Sequence, residues 1–193
     1  MQIYLKADTL YYIVLLFNIF LTFKLLLITN IFLLFLHKIM PNMEFTSVKL
    51  NTYTFFKLPA AFWSGVRVKS ISAETCIVSV KLGWFNQNPF KSMYFAVQAM
   101  AAEFTTGALV MFHIKASEQN ISMLVAQNKA VFTKKATGKI SFTCNQGKEI
   151  ADCIEKSIQT NEGQTIWLTS IGVNESGEQV SEMQFQWTIK TRI

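Results

Sequence analysis

The sequence predicts an α+β domain in which an antiparallel sheet wraps around one long buried helix. Three observations carry this. Residues 88–116, NPFKSMYFAVQAMAAEFTTGALVMFHIKA, are apolar nearly all round a helical projection, which suits a helix enclosed on every side. Segments on both sides of it alternate apolar and polar residues, the period of half-buried strands. The order is strands, one long helix, then mostly strands, so the helix has a sheet to pack against.

Ahead of this domain lies a different kind of chain. Residues 1–42 form a hydrophobic N-terminal segment, and 43–193 hold the domain. Residues 10–36 read LYYIVLLFNIFLTFKLLLITNIFLLFL, with Lys24 the one charge. That exceeds the roughly 20 residues needed to cross a bilayer. The run lacks the short apolar core and small-residue cleavage site of a secretory leader. One membrane helix is the direct reading, although Lys24 would cost about 2.5–3.5 kcal/mol near the centre of a span. Two half-length apolar pieces are the alternative. A third reading is compositional: 30 of the first 40 residues are Phe, Leu, Ile, Asn, Lys or Tyr, as translation of an AT-rich stretch would give. Met40 and Met43 are both plausible starts, and from either the protein would be cytoplasmic. With the anchor in place, Lys38 and Lys49 after the span outnumber Lys6 before it, which favours a membrane protein with its domain in the cytoplasm.

Within the domain, residues 41–59 are a connector followed by an amphipathic start, with Phe55, Phe56 and Leu58 available to pack. GVRVKSISAETCIVSVKLGW, residues 65–84, reads as two strands or one long bent strand. Asn88 followed by Pro89 is a helix-start signal, and the helix should run from about Ser92 to His113. NISMLVAQNKAVFTKKAT and GKISFTCNQ then read as strands joined at Thr137-Gly138. GKEIADCIEKSIQT places Ile150, Cys153, Ile154 and Ile158 at helical spacing, ending near Asn161 and Gly163. The tail is a hairpin across NESGEQ, with Met183, Phe185, Trp187 and Ile189 alternating along one face.

Charge and cysteine content exclude several classes. From residue 43 onward there are 15 basic and 11 acidic residues, scattered along the strands, and no basic stripe interleaved with aromatics for nucleic acid. Mild basicity suits a solvated surface or a phosphorylated ligand. Three cysteines without a C-x-x-C, and only two histidines, argue against a zinc site.

The long helix carries one carboxylate, Glu103, in its middle. At helical spacing Ala96, Ala99, Glu103, Thr106, Gly107 and Val110 form one stripe of small residues, with room beside the carboxylate. Tyr94, Val97, Met100, Ala101, Phe104 and Ala108 lie opposite, facing the sheet. Burial would raise the pKa of Glu103, as in many general bases. A place at a subunit seam, a lysine partner or contact with solvent is the plainer account.

The motif N-x-x-x-[ST], a few aromatic or small residues, and a helix with an acid near its middle resembles the hot-dog fold thioesterases. NPFKSMYFAVQAMAAEFTTG is most similar to an uncharacterised, domain-of-unknown-function branch related to the phenylacetyl-CoA-type enzymes. The resemblance covers about Phe56 to Ile193. It implies that Glu103 acts as general base or nucleophile on an acyl thioester. It also implies that amides around Tyr94, Phe95 and Ala96 polarise the thioester carbonyl, while Asn88 and Ser92 shape the entrance. Coenzyme A would enter as part of the substrate rather than as a cofactor, and Lys91 is a candidate for its phosphate. A homodimer or dimer of dimers is implied, since relatives build their sites at a subunit seam. Two departures stand out: Tyr94-Phe95-Ala96 replaces a frequent His-Gly-Gly, and Lys91 replaces a glycine. Two readings follow, an acyl-CoA or acyl-carrier thioesterase, and a non-catalytic dimeric module that binds an acyl thioester or a partner protein.

Overall fold

The computed structural model describes Thr22, Lys24 and residues 45–192. Apart from those two residues, the hydrophobic segment 1–42 and its candidate membrane helix lie outside the described residues. The chain divides into two compact units, and the second runs from Phe45 to Ile193.

That unit opens with two helices, α1 (Ser47–Lys57) and α2 (Pro59–Trp63). Thr46 caps α1 by accepting the Lys49 N–H on its hydroxyl, and Pro59 occupies the first turn of α2, where its missing N–H costs nothing. Strands β1 (Arg67–Ile71) and β2 (Cys76–Lys81) form a hairpin across a turn whose Ser72 hydroxyl accepts the N–H groups of Glu74 and Thr75. The 65–84 stretch is therefore two strands.

Helix α3 (Phe95–Ala116) comes next, then β3 (Ile121–Phe132), β4 (Lys139–Cys144), α4 (Gly147–Thr160), β5 (Gln164–Val173) and β6 (Gln179–Thr191). All neighbouring strands are antiparallel, in the order β1-β2-β4-β5-β6-β3. β3 and β4, consecutive in the chain, do not pair. β4 takes the place beside β2, and β3 crosses to the far edge against β6. The sequence reading of two strands joined at Thr137-Gly138 holds for the connection and not for the sheet.

The sheet closes over α3. Ala101, Ala102, Ala108, Leu109 and Val110 lose all exposure, as do Val78, Ile140, Phe142, Leu168 and Ile189 on the strands. Met183, Phe185 and Trp187 complete the inner face of β6, as their alternation predicts. α4 packs Ile150 and Ile154 inward and ends at Asn161, which adopts the left-handed conformation with φ of 57°. By length and composition α3 would qualify as a membrane span, yet here it is the core of the domain.

Candidate active site

The helix begins three residues later than its sequence suggests. Asn88 does not cap it. Its Oδ1 accepts the N–H groups of Phe90 and Ser92 and the Ser92 hydroxyl, so Asn88 and Ser92 build a tight turn ahead of the helix. Pro89 sits inside that turn. Lys91 follows with φ of 56°, a conformation that glycine adopts without cost and a lysine does not.

Tyr94 is the residue that caps α3. Its own N–H donates to Asn86 O at 2.9 Å, while Val97 and Gln98 both donate to Tyr94 O. The Tyr94 amide is thus engaged, and the pair at the open end of the helix narrows to Phe95 and Ala96, whose N–H groups have no intrahelical acceptor. A cleft of about 800 Å³ lies at this end. Asn88, Ser92, Tyr94 and Phe95 line it, with Phe132 and Lys135 from the end of β3 and the segment after it.

Gln98 also lines the cleft and was not singled out by the sequence, although it is the one amide side chain in the helix. It is buried, with its Nε2 donating to Met93 O at 3.4 Å and its Oε1 accepting from the Ser181 hydroxyl at 3.1 Å. The β3-end residues could not be anticipated, because nothing local joins Ala136 to Met93. The Met93 N–H donates to Ala136 O at 2.8 Å, and that long-range bond brings the segment to the cleft.

Glu103 lies further along α3, on a half-buried flank with Ala96, Ala99 and Met100. Burial pushes its carboxyl above the usual carboxylate range. The predicted stripe of open space holds only in part. Thr106, Gly107 and Val110 are buried, and the indole of Trp187 fills the room at Gly107. On the opposite side Val97, Ala101, Phe104 and Ala108 pack inward as expected, but Tyr94 is exposed because it precedes the first turn as the cap, and Met100 is only half-buried because the helix turns it toward the open flank.

Three buried polar ties set that rotation: Gln98 to Ser181, Thr105 to Ser170 at 3.1 Å, and Thr106 to the Trp187 indole N–H at 3.0 Å. Each joins the helix to β5 or β6, so a turn of the helix about its axis would leave buried groups unpaired. Glu103 is consequently held on the flank that the sheet leaves half open. It stands eight positions along the helix from Phe95, about 12 Å of rise. It does not line the cleft. Among the described residues no group of His, Cys, Asp and Glu is placed to hold a metal ion.

A six-stranded antiparallel sheet around a central helix, with a cleft at the helix N-terminus, defines the hot-dog class of fold. The chain belongs to the family named Domain of unknown function (DUF4442), whose model matches residues 50–189. No curated protein matches it. Among solved structures, a Pseudomonas aeruginosa protein of unknown function, described as a probable thioesterase, superposes with a TM-score of 0.65 at 20% identity, over 75% of this chain and 96% of its own. A Chlorobaculum tepidum protein of unknown function gives a TM-score of 0.66 at 17% identity, over 76% and 94%. A Haemophilus influenzae thioesterase gives 0.57 at 12% identity, over 77% and 93%.

Proposed function

We propose that the protein hydrolyses an acyl thioester, of coenzyme A or an acyl carrier, at a site completed by two copies of the chain. The observation that carries this is a half-buried carboxylate with a raised pKa on the open flank of the core helix, in a fold whose helix N-terminus faces a cleft. In the reaction, Glu103 takes a proton from water as the oxygen attacks the thioester carbonyl carbon. The amides of Phe95 and Ala96 stabilise the charge that develops on the carbonyl oxygen. The C–S bond then breaks, the sulfur leaves and takes up a proton, and the acid and free thiol depart. Asn88 and Ser92 shape the entrance, with Lys91 beside them for a phosphate. No cofactor takes part.

Cleft and carboxylate are apart within one protomer, which is why the reading needs a dimer. β3 offers the seam. It is the long edge strand of the sheet, twelve residues, and from Ala126 to Phe132 every residue is exposed. Such an edge is a template for strand pairing. Two-fold pairing there would direct each Glu103 toward the cleft of the other copy. The segment 10–36 serves as a membrane anchor in this reading, with the domain on the cytoplasmic side.

The test is a panel of acyl-CoA substrates followed by release of free thiol. Turnover by the parent, reduced on the order of 10²–10⁴-fold in Glu103→Gln, is the expected result for loss of a general base. Equal rates in parent and variant would remove Glu103 from the mechanism. Absence of turnover in both would leave the non-catalytic binding module.

A further inference from the structure

Charge and exposed apolar surface are distributed unevenly in the described domain. Residues 45–102 contain six basic residues and one acid, Glu74, whereas residues 103–192 contain nine of each. The whole excess of positive charge therefore lies in the first part. The same part holds ten of the fourteen large apolar side chains that are exposed, and three of the other four lie on β3, the proposed dimer seam. Scattered apolar side chains on a surface are ordinary, but a concentration of them with like charge marks an interaction site.

Two stretches supply these rings. In the first, Phe55, Phe62 and Trp63 of α1 and α2 stack edge to face, with centroids 4.9 Å and 5.8 Å apart, and Trp63 is 63% exposed. In the second, the segment between β2 and α3 presents Trp84 at 83%, Phe85 at 66% and Phe90 at 74% exposure. The buried side chain of Asn86 ties the two together. Its Nδ2 donates to Ser64 O and to Lys81 O, both at 2.9 Å, and its Oδ1 accepts the Gly83 N–H at 2.9 Å. The residue after Trp63 is thereby fixed against the turn that carries Trp84 and Phe85. That turn leads directly to Phe90 and the lining of the cleft.

We infer that Trp63, Trp84, Phe85 and Phe90, with the exposed Lys57, Lys69 and Lys91 of the same part of the chain, form a face that seats on the surface of an anionic lipid bilayer. Aromatic rings with lysines are the combination that settles at the headgroup level, rings in the acyl boundary and ammonium groups among the phosphates. A partner protein would need a complementary acidic surface, whereas an anionic leaflet supplies negative charge over any area. Continuity of the chain adds a second argument, which rests on the anchor reading above. A run spanning a bilayer to Leu36 delivers the chain to that surface eleven residues before α1 begins. Seated this way, the cleft opens toward the lipid, and its substrate class would be thioesters with acyl chains long enough to partition into membranes.

All four tryptophans of the chain lie in the domain, so indole emission tests the seat in the full-length protein. The full chain is mixed with vesicles of phosphatidylcholine alone or with phosphatidylglycerol, each containing lipid brominated near the headgroup. Vesicle flotation reports the anchor, and emission reports the face. The expected result is a blue shift and loss of emission that grow with phosphatidylglycerol, and disappear in Trp63→Phe/Trp84→Phe, where Trp167 and the buried Trp187 alone remain. Lys57→Glu/Lys69→Glu, two exposed positions, should lose the dependence on phosphatidylglycerol while floating as before. Flotation without quenching of Trp63 and Trp84 would keep the anchor and overturn the seat. Quenching that is equal on neutral and anionic vesicles would overturn the role of charge.

Discussion

The Trp187 indole occupies the space that a side chain at Gly107 would need. A Cβ built on Gly107 would lie 3.1 Å from Trp187 Cζ2 and 3.2 Å from Cη2, and 3.5 Å from Glu103 Oε1. The glycine one turn beyond Glu103 is therefore a contact for the sheet and does not leave a vacancy for a ligand.

Gly107→Val tests that contact. The ring is buried and hydrogen-bonded to Thr106, so it cannot swing aside freely. Overpacking of this kind costs about 1–3 kcal/mol, and denaturant titration should show a loss of that size despite the better helix propensity of valine. An unchanged midpoint would mean that the indole moves without cost.

Thr106→Val keeps the shape and removes the acceptor. The Trp187 N–H would then be buried without a partner, at a cost of about 1–3 kcal/mol. Thr106 also donates to Glu103 O, so its loss loosens the turn that carries the carboxylate. Thermal unfolding measures the first effect.

Glu103 makes stability depend on pH in a direction that can be worked out. Burial raises its pKa in the folded state above that of the same carboxyl in the unfolded chain. Below the unfolded-state pKa the carboxyl is protonated in both states and burial carries no charge penalty. As pH rises through the folded pKa the buried charge must form, and stability falls. Glu103→Gln should accordingly unfold at a higher temperature than the parent near neutral pH, with the gain shrinking toward zero under acid conditions. A gain independent of pH would point to packing instead.

The cysteines should differ in reactivity. Burial pushes the Cys76 thiol up to about 12 and the Cys144 thiol up to about 11, and both are fully enclosed on neighbouring strands. Cys153 is half-buried on α4, with a smaller rise from the same cause. A thiolate-directed reagent should label Cys153 first and the other two only on unfolding. Mass spectrometry of the labelled chain would reveal any other order.

Edge lysines discourage strand pairing. Leu124→Lys with Ala130→Lys, both exposed on β3, should convert a dimer to a monomer by light scattering on the full chain in detergent, and thioester hydrolysis should fall with it. A dimer that persists would place the seam elsewhere.

Periodicity in the sequence determined the element types: strand between 65 and 84, the long helix, the amphipathic α4, and the inner face of β6 from Met183 to Ile189, while the break of 65–84 into two strands came from the turn at Ser72. It also isolated Glu103, because a single carboxylate in an apolar helix is visible in any projection. It could not determine which way the helix turns. A helix that is apolar all round has no preferred face, and its rotation was decided by side chains from β5 and β6, Ser170, Ser181 and Trp187, up to 83 residues away. The start of the helix is hidden from the sequence for a similar reason. Asn88 and Pro89 serve equally in a turn or a cap, and the bond from the Tyr94 N–H to Asn86 O selects the turn. The edge position of β3 depended on which strands could reach each other across the helix. Gly147 shows the same limit: a Cβ there would lie 1.9 Å from Ala73 O, a clash created by the β1–β2 turn and absent from any local pattern. Local propensity sets the elements, and contacts between residues distant in the chain set their register, rotation and place in the sheet.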